Sequence, residues 1–347
     1  MICEDLHRCL ASLLAGYDSR QVVVVRDANV AFDSPFPTIS IPTDEAHKTI
    51  DTVTQIWDFL LAKEITRRGV MVCVGGGVLT DIGGFAAATY KRGINYINVP
   101  TTLLAMVDAS SGGKTGVNYQ GLKNCIGCFA PPIETIIDVA WLKTLPAQEI
   151  LSGFGEMLKT GLVQDEKLKV KGERIWEQLL QYDLERMEIT ELKPLIEACV
   201  RVKERIVAAD PKEEGLRKVL NLGHTFGHAL EEVSGLVDER MNGLVGMPHG
   251  YAVVYGLIAE LYLSVVKLGC PKEPLQQLTQ LMLHYYGRPQ CNCKDRERLI
   301  SLMQQDKKNE RAAEINCTLL KDVGSPVINQ VITPAEANEA LEYLFSL

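Results

Sequence analysis

Four polar residues recur at helical spacing in the segment RKVLNLGHTFGHAL. Arg217, Asn221, His224 and His228 follow one another at steps of four, three and four residues. Because an α-helix turns about every 3.6 residues, this spacing predicts that all four lie on one side of a single helix. A solvated helix face would more usually carry Glu and Lys. The stripe therefore predicts a ligand-binding face with two imidazoles available to a metal ion.

A metal site is predicted around the same segment. His224, His228 and His249 are three of the 6 histidines in the chain, and Glu156 lies in the run GFGEMLKTG, one helical turn before Lys159. A catalytic zinc ion takes about three protein ligands of the His, Asp, Glu or Cys type and keeps one position open. A lone histidine on an apolar face is usually a hydrogen-bonded core residue, but three histidines near a Glu favour the metal site.

A glycine turn predicts a second ligand site, suited to an anion. The segment VCVGGGVLTDIGGF reads as a buried strand, a turn and the start of a helix, where glycines let the backbone approach a ligand and free N–H groups attract negative charge. It lacks the dinucleotide fingerprint GxGxxG, and DASSGGKT lacks the leading glycine of a P-loop. A tight structural turn is the alternative interpretation. Polar residues crowd the following segments and favour a ligand: Asp81, Asp108, Lys114, Asn118, Lys123 and Asn124.

The elements that must position these residues change in type along the chain. Over residues 1–145, strand patterns such as QVVVV, TISI, VMVCV, INYINV and TIIDVAWL alternate with helical patterns, which predicts an α/β domain with a mostly parallel sheet. After Leu145 and Pro146, helical patterns take over almost to the end. We therefore expect a second, all-helical domain over residues 146–347.

Composition restricts the partners. The chain has 347 residues, 46% of them hydrophobic, and a net charge of −8, which argues against nucleic acid as the main partner but allows a small anionic ligand at a local cluster of cations. No apolar run reaches the length of a membrane span. The 10 cysteines, including the CxxC of Cys125 and Cys128 and the CxC of Cys291 and Cys293, are expected to be reduced thiols without a zinc or redox role.

Long motifs in this order resemble the 3-dehydroquinate synthase family, one of the sugar-phosphate cyclases. They are GGGVLTDIGGFAAATYKRG, VPTTLLAMVDASSGGKTGVN, GLKNCIGCF, LKTLP, GEMLKTGL, GLRKVLNLGHTFGHALE and DKKNE, and the resemblance covers about residues 42–309. It implies an N-terminal α/β domain that binds NAD, a C-terminal domain that binds metal and substrate, and an active site in the cleft between them.

The resemblance also implies an activity. Members are cytoplasmic, homodimeric lyases of the shikimate pathway, which supplies aromatic amino acids. They convert 3-deoxy-D-arabino-heptulosonate 7-phosphate to 3-dehydroquinate and phosphate, with NAD and a divalent zinc or cobalt ion. NAD is regenerated in each turnover: a hydroxyl is oxidised, phosphate is eliminated, the ketone is reduced, and an aldol step closes the ring.

The family motifs assign residue roles by resemblance. Glu156, His224 and His249 match the metal ligands. The substrate-site positions match Lys114, Asn124, Lys159, Lys203, Arg217, Asn221, His228 and one of Lys307 or Lys308, and Arg92 matches an arginine that reaches the phosphate bound by the neighbouring subunit. The NAD positions match Asp27, Glu45, Lys48, Gly76, Gly77, Val78, Asp81, Thr101, Thr102, Asp108, Lys114, Lys123, Trp141, Thr144, Leu145 and Glu149.

Two departures from the family pattern concern the third metal ligand. The usual HGEAV is HGYAV here, with Tyr251 in place of Glu, and the segment between His224 and His249 is longer than expected.

Three alternative functions stay open: a cyclase that makes valiolone-type or inosose products, a metal-dependent polyol or glycerol-phosphate dehydrogenase, and a non-catalytic NAD sensor. The match of Arg217, with Asn221 and His228, favours the carboxylate-bearing heptulosonate phosphate over the substrates of the related cyclases, because a guanidinium suits a carboxylate.

Overall fold

The chain forms two compact units, Met1–Pro146 and Ala147–Leu347, in a computed structural model that describes residues 1–164, 174–238, 246–289, 295–305 and 314–347. The division falls one residue beyond the boundary proposed from the sequence. Four residues singled out above, Cys291, Cys293, Lys307 and Lys308, lie outside the described residues. The other eight cysteines are free thiols.

The first unit is built on a parallel sheet, as predicted. In chain order its strands are β1 (Val22–Asp27), β2 (Thr38–Ile41), β3 (Val70–Gly75), β4 (Asn95–Pro100), β5 (Lys114–Tyr119), β6 (Leu122–Phe129) and β7 (Glu134–Thr135). Five of them form the sheet in the order β2-β1-β3-β4-β7, with every pair parallel. β5 and β6 form a separate antiparallel hairpin, which the sequence analysis did not predict.

Both faces of the parallel sheet are covered. Three α-helices flank it: α1 (Leu6–Leu14), α2 (Ile50–Ala62) and α3 (Gly77–Thr89). Val23 and Val25 of β1 pack into the core cluster of α2 and α3, whereas Val22 and Val24 pack into the cluster of α1. A strand buried on both faces is hydrophobic at every position, which explains the uninterrupted valine run.

The last predicted strand of this unit is shorter than expected. Pairing in the sheet ends at Thr135, although the amides of Ile136 and Ile137 still bond to the carbonyls of Asn98 and Met1 at 2.8 and 2.9 Å. Asp138 then accepts a 2.9 Å hydrogen bond from the Ala140 amide and starts a 3₁₀ helix, Val139–Thr144. The aspartate therefore ends the extended segment within the predicted run TIIDVAWL.

The second unit is predominantly helical. Its helices are α4 (Ala147–Val163), α5 (Ile175–Gln181), α6 (Ile189–Ala209), α7 (His224–Asp238), α8 (His249–Leu268), α9 (Lys272–Tyr285), α10 (Arg296–Gln304) and α11 (Pro334–Ser346). The expectation of an all-helical domain is wrong, because β8 (Ile315–Leu320) and β9 (Pro326–Ile332) form an antiparallel hairpin. The β-branched residues of INCTLL and PVINQVI, on either side of a turn, account for it.

Helix α8 is the central element of this unit. It contacts α4, α7, α9, α11 and β8. By length and composition it could cross a membrane, but 67% of its most apolar window is buried inside the fold. A helix that is apolar on all sides is expected at the centre of a large helical core. The first residue of α8 is the predicted metal ligand His249.

Candidate functional site

Three helices bring the predicted metal ligands together. Glu156 lies in the middle of α4, whereas His224 and His249 are the first residues of α7 and α8. The Nε2 atoms of His224 and His249 lie 3.4 and 3.2 Å from Glu156 Oε1. One donor atom from each residue falls within 4.8 Å of the other two, so the three can face one common point.

The backbones of α4 and α8 meet beside two of these ligands. A Cβ built on Gly250 would lie 1.8 Å from the carbonyl oxygen of Ser152, and one built on Gly155 would lie 2.5 Å from the carbonyl oxygen of Gly250. The Gly250 amide also donates a 3.1 Å hydrogen bond to Ser152 Oγ. Because Gly155 precedes Glu156 and Gly250 follows His249, this contact sets the spacing of the two ligands.

The polar stripe in the opening motif is not on one helix. Arg217 and Asn221 lie in a 3₁₀ helix, Leu216–Asn221, and α7 begins only at His224. Gly223 separates the two with a φ of +80°, a left-handed conformation that favours glycine. It is pressed against α8, where a Cβ on Gly256 would lie 1.9 Å from the Gly223 carbonyl oxygen. The prediction of a single helical face is therefore wrong at this break.

A buried carboxylate that the sequence analysis missed caps the start of α7. Glu260 on α8 accepts hydrogen bonds from the amides of Gly223 at 2.6 Å and Thr225 at 3.2 Å. Its side chain is buried, and the two amides flank His224. The first amides of a helix have no partner within the helix, so Glu260 satisfies them and fixes the backbone that carries the ligand.

Each histidine ligand is oriented through its Nδ1 atom. His224 Nδ1 lies 3.1 Å from the carbonyl oxygen of Leu222, which can only accept, so Nδ1 carries the hydrogen. His249 Nδ1 lies 3.1 Å from Glu231 Oε2. Metal-binding histidines usually donate the ring hydrogen opposite the metal to a carbonyl or a carboxylate. Both rings therefore direct Nε2 towards Glu156.

Charges at the site differ among the three residues. Burial lowers the pKa of His224 to about 3, and the positive charge of Lys159 acts in the same direction, so this ring is neutral. Burial alone would lower the pKa of His249, but hydrogen bonds to Glu156 and Glu231 outweigh it and raise the pKa to about 10. Burial alone would raise the pKa of Glu156, but Lys159 and the histidines hold it well below its usual range.

These residues fit a divalent metal ion. Two imidazoles and one carboxylate form a ligand set used by catalytic zinc, which leaves a fourth position for substrate. The carboxylate is ionised and the His224 ring is neutral, as ligands must be, while His249 carries a proton that has to leave before it can coordinate.

Two other predicted substrate residues, His228 and Lys159, lie beside the ligand set. The His228 ring lies 5.2 Å from the His224 ring and 6.1 Å from the His249 ring, centroid to centroid. Lys159 is buried and forms an ion pair with Glu156, and Lys203 on α6 is also buried. These cations are suited to an anionic substrate.

Arg217 and Asn221 are held by the loop that precedes their 3₁₀ helix. Arg217 is buried, and its Nη1 donates a 2.9 Å hydrogen bond to the Pro211 carbonyl. Asn221 Nδ2 donates to Glu213 Oε1 at 2.8 Å. The burial of Arg217 argues against a purely surface role for it. Glu213, which received no role from the sequence, contacts the predicted substrate residue Asn221.

The predicted NAD residues of the first unit lie where neighbouring strands end. Asp27 ends β1 and Gly75 ends β3, and Thr101 follows β4, whose last residue pairs with Gly75. A Cβ on Gly76 would lie 3.1 Å from Thr102 Cγ2. Gly76 caps the start of α3, so its turn presents free helix amides at the carboxyl edge of the sheet.

Three contacts hold further residues predicted to bind ligands in the first unit. Lys48 Nζ and Asp81 Oδ2 form a 2.6 Å ion pair, in which Lys48 is buried. Glu45 Oε1 accepts a 2.7 Å hydrogen bond from Asn118 Nδ2, and Asn118 Oδ1 accepts one of 2.8 Å from the Asn124 amide.

The remaining predicted residues lie on several elements. Arg92 follows α3, whose 13 residues separate it by about 20 Å of helix from the glycine turn. Asp108 lies in a π-helical turn, Ala105–Ala109, Lys114 and Lys123 lie on the hairpin, and Val78, Trp141, Thr144, Leu145 and Glu149 lie on or beside helices. Glu149 belongs to the second unit, where burial and, after it, the charge of Glu149 raise the pKa of Tyr251.

Comparisons with known proteins agree with this architecture. The model of the 3-dehydroquinate synthase N-terminal domain matches residues 38–152, and that of the C-terminal domain matches residues 153–309. A 3-dehydroquinate synthase of Parabacteroides distasonis is 40% identical, covering 99% of this chain and 96% of its own. One of Bordetella pertussis is 40% identical over 88% of this chain and 81% of its own.

Solved structures of related cyclases share the fold. The 2-epi-5-epi-valiolone synthase of Streptomyces hygroscopicus subsp. jinggangensis, with NAD+ and Zn2+ bound, has a TM-score of 0.81 at 27% identity, covering 100% of this chain and 96% of its own. A 2-deoxy-scyllo-inosose synthase complexed with carbaglucose-6-phosphate, NAD+ and Co2+ has a TM-score of 0.78 at 23% identity, covering 96% and 94%. With both family models matched in order and near-complete coverage by relatives, the chain belongs to the 3-dehydroquinate synthase family.

Proposed function

We propose that the protein is a 3-dehydroquinate synthase, which converts 3-deoxy-D-arabino-heptulosonate 7-phosphate to 3-dehydroquinate and phosphate. The reaction makes it a carbon–oxygen lyase of the shikimate pathway. The observation that carries the proposal is the cluster of Glu156, His224 and His249, whose donor atoms lie within 4.8 Å of one another in a chain of this family.

Glu156, His224 and His249 would hold a zinc or cobalt ion. Such an ion, when bound, polarises the substrate hydroxyl that is oxidised. The chain's own contribution is to hold the His224 ring in the correct tautomer, through the Leu222 carbonyl, and to keep Glu156 ionised through Lys159. These contacts prepare the ligand set before any substrate arrives.

The substrate carries a phosphate and a carboxylate, so its site needs fixed cations. Arg217 suits the carboxylate, because a planar guanidinium can donate to both oxygens, and its burial strengthens the interaction. We assign the other substrate positions to Lys114, Asn124, Lys159, Lys203, Asn221, His228 and Lys307 or Lys308. His228, beside the ligand rings, is suited to hold or move a proton at the reacting carbon.

NAD would bind the first unit at the carboxyl edge of its sheet. The turn at Gly76 and Gly77 would receive the pyrophosphate, and Asp27, Lys48 and Asp81 would fix the rest of the dinucleotide. NAD supplies a reversible hydride acceptor, so the hydride removed from the substrate returns to it within one turnover. The remaining assignments are Glu45, Val78, Thr101, Thr102, Asp108, Lys114, Lys123, Trp141, Thr144, Leu145 and Glu149.

A homodimer in the cytoplasm is the proposed working form. Arg92 lies at the end of α3 away from the glycine turn, as suits a residue that serves the neighbouring subunit. The eight cysteines among the described residues are free, in keeping with a reducing compartment.

The decisive test combines the heptulosonate phosphate, catalytic NAD and metal-loaded protein. We expect equal amounts of phosphate and 3-dehydroquinate, many turnovers per NAD and no build-up of NADH absorbance. Chelation should abolish phosphate release, and added zinc or cobalt should restore it.

Parallel reactions identify the competing activities. Turnover of a heptulose 7-phosphate that lacks the carboxylate, without turnover of the heptulosonate, would indicate a valiolone-type cyclase, and preference for glucose 6-phosphate an inosose synthase. Stoichiometric NADH from a polyol would indicate a dehydrogenase. Full activity of metal-free protein would contradict the metal assignment.

A further inference from the structure

Glu231 lies outside the predicted ligand and substrate residues, yet it contacts one of the ligands directly. Its Oε2 atom lies 3.1 Å from His249 Nδ1, on the side of the ring opposite Nε2. We propose that Glu231 is a positioning residue, which fixes the His249 imidazole so that Nε2 faces the metal. This inference rests on the proposed metal site and adds a residue to it.

The position of Glu231 on α7 supports this role. It follows His224 by seven residues and His228 by three, so all three lie on one face of α7. The Glu231 side chain is 15% exposed, whereas the neighbouring Glu232 is exposed. A carboxylate is costly to bury without a partner, and the imidazole provides one. Glu231 therefore belongs to the internal polar face of the helix.

His249 has particular need of such a contact. Its ring is 29% exposed, compared with 11% for His224, and it sits on the first residue of α8. His224 is held by the backbone carbonyl of Leu222 on its own segment, whereas His249 is held by a side chain from another helix. A carboxylate in this position fixes the tautomer and strengthens the opposite nitrogen as a ligand.

The test compares Glu231→Gln and Glu231→Ala with Glu232→Gln, a matched control that removes the same charge one residue away. Metal affinity is measured by competition with a chromogenic chelator, and the coordination of bound Co2+ by its visible absorption spectrum. We expect Glu231→Ala to weaken metal binding about 10- to 100-fold and to alter the spectrum. Glu231→Gln keeps an acceptor oxygen and should lose less, and Glu232→Gln should match the wild type.

The outcomes separate this inference from the proposed function. Unchanged affinity and an unchanged Co2+ spectrum in both Glu231 variants would overturn it, as would an equal loss in Glu232→Gln. If Glu231→Ala does not fold, the comparison of the two Gln variants decides. Recovery of activity in Glu231→Gln at saturating metal supports a positioning role. Failure of the wild type to bind metal would instead reject the metal site itself.

Discussion

The carbonyl oxygen of Ser152 occupies the space in which a side chain on Gly250 would begin, only 1.8 Å from the position of a Cβ. This contact joins α4 to the start of α8. Backbone cannot move aside as a flexible side chain can, so the distance between Glu156 and His249 depends on the absence of one methyl group.

Gly250→Ala should therefore separate the two helices. We expect the free energy of unfolding to fall by about 3 kcal/mol or more, because overpacking a rigid contact is strongly destabilising. We also expect the amount of bound metal to fall. Denaturant unfolding and metal analysis measure both effects. Gly16→Ala is the control, because a Cβ there meets nothing within 4 Å. Wild-type stability and metal content in Gly250→Ala would refute the proposed spacing role.

Removal of His249 tests the third metal ligand. His249→Ala should lower the amount of metal that survives dialysis, because two ligands remain where about three are needed. His284→Ala is the matched control, since His284 is exposed on α9 and lies 3.5 Å from Glu185, away from the ligand set. If His249→Ala retains the full metal content, the third ligand is a different residue.

Arg217 distinguishes a carboxylate-bearing substrate from other sugar phosphates. Arg217→Ala should reduce kcat/KM at least tenfold towards the heptulosonate phosphate, because a charged hydrogen bond contributes about 1.5–3 kcal/mol and about 1.4 kcal/mol is tenfold. Arg217→Lys should recover part of it. Arg201→Ala, at a 44% exposed side chain, should have no effect. Near-normal kcat/KM in Arg217→Ala with intact metal would return the valiolone-type and inosose cyclases to contention.

The ion pair of Lys48 and Asp81 tests the NAD site. Lys48→Met removes the ammonium that lies 2.6 Å from Asp81 in a buried position, so we expect the Kd of NAD to rise about tenfold, or about 1.4 kcal/mol. Isothermal titration calorimetry measures it. The control is Lys63→Met, at an exposed lysine that directly follows α2. An unchanged Kd would show that this ion pair has only a structural role.

Glu260 tests the cap at the start of α7. Glu260→Gln can still accept one amide hydrogen bond but presents an NH₂ group to the other. We expect a loss of about 2–4 kcal/mol in the free energy of unfolding, because a buried hydrogen-bonded carboxylate is replaced. Chemical denaturation is the measurement, with Glu204→Gln on the exposed side of α6 as control. If Glu260→Gln lowers the free energy of unfolding by no more than Glu204→Gln does, the carboxylate is not needed as a cap, and water satisfies the two amides instead.

Local patterns predicted much of this fold but not its tertiary contacts. The valine run from Val22 to Val25 predicts a buried strand of the parallel sheet, and the glycine turn after β3 predicts the edge at which NAD is expected. Both features can be recognised from the residues of one short segment. The hairpin of β8 and β9 was missed among helical segments. Its short β-branched runs carry weaker periodicity than a long helix does.

The candidate site shows the same division. Glu156, His224 and His249 were identified from residue types and family motifs, and the structure brings them together. The break at Gly223 was missed because it results from contact with Gly256, which is distant in sequence. Glu260 was missed for the same reason, since nothing local to it reveals the two amides that it caps.

The apolar character of α8 affects how the chain is synthesised. Its neighbours α4 and α7 precede it on the chain, but α9, β8 and α11 follow it. During synthesis, α8 therefore leaves the ribosome before these three elements do. Until α11 has emerged, part of the apolar surface of α8 is exposed. Chaperones that bind apolar segments would find their target in this interval, and a stop codon before β8 would yield a product prone to aggregation, since part of the surface of α8 would lack its cover.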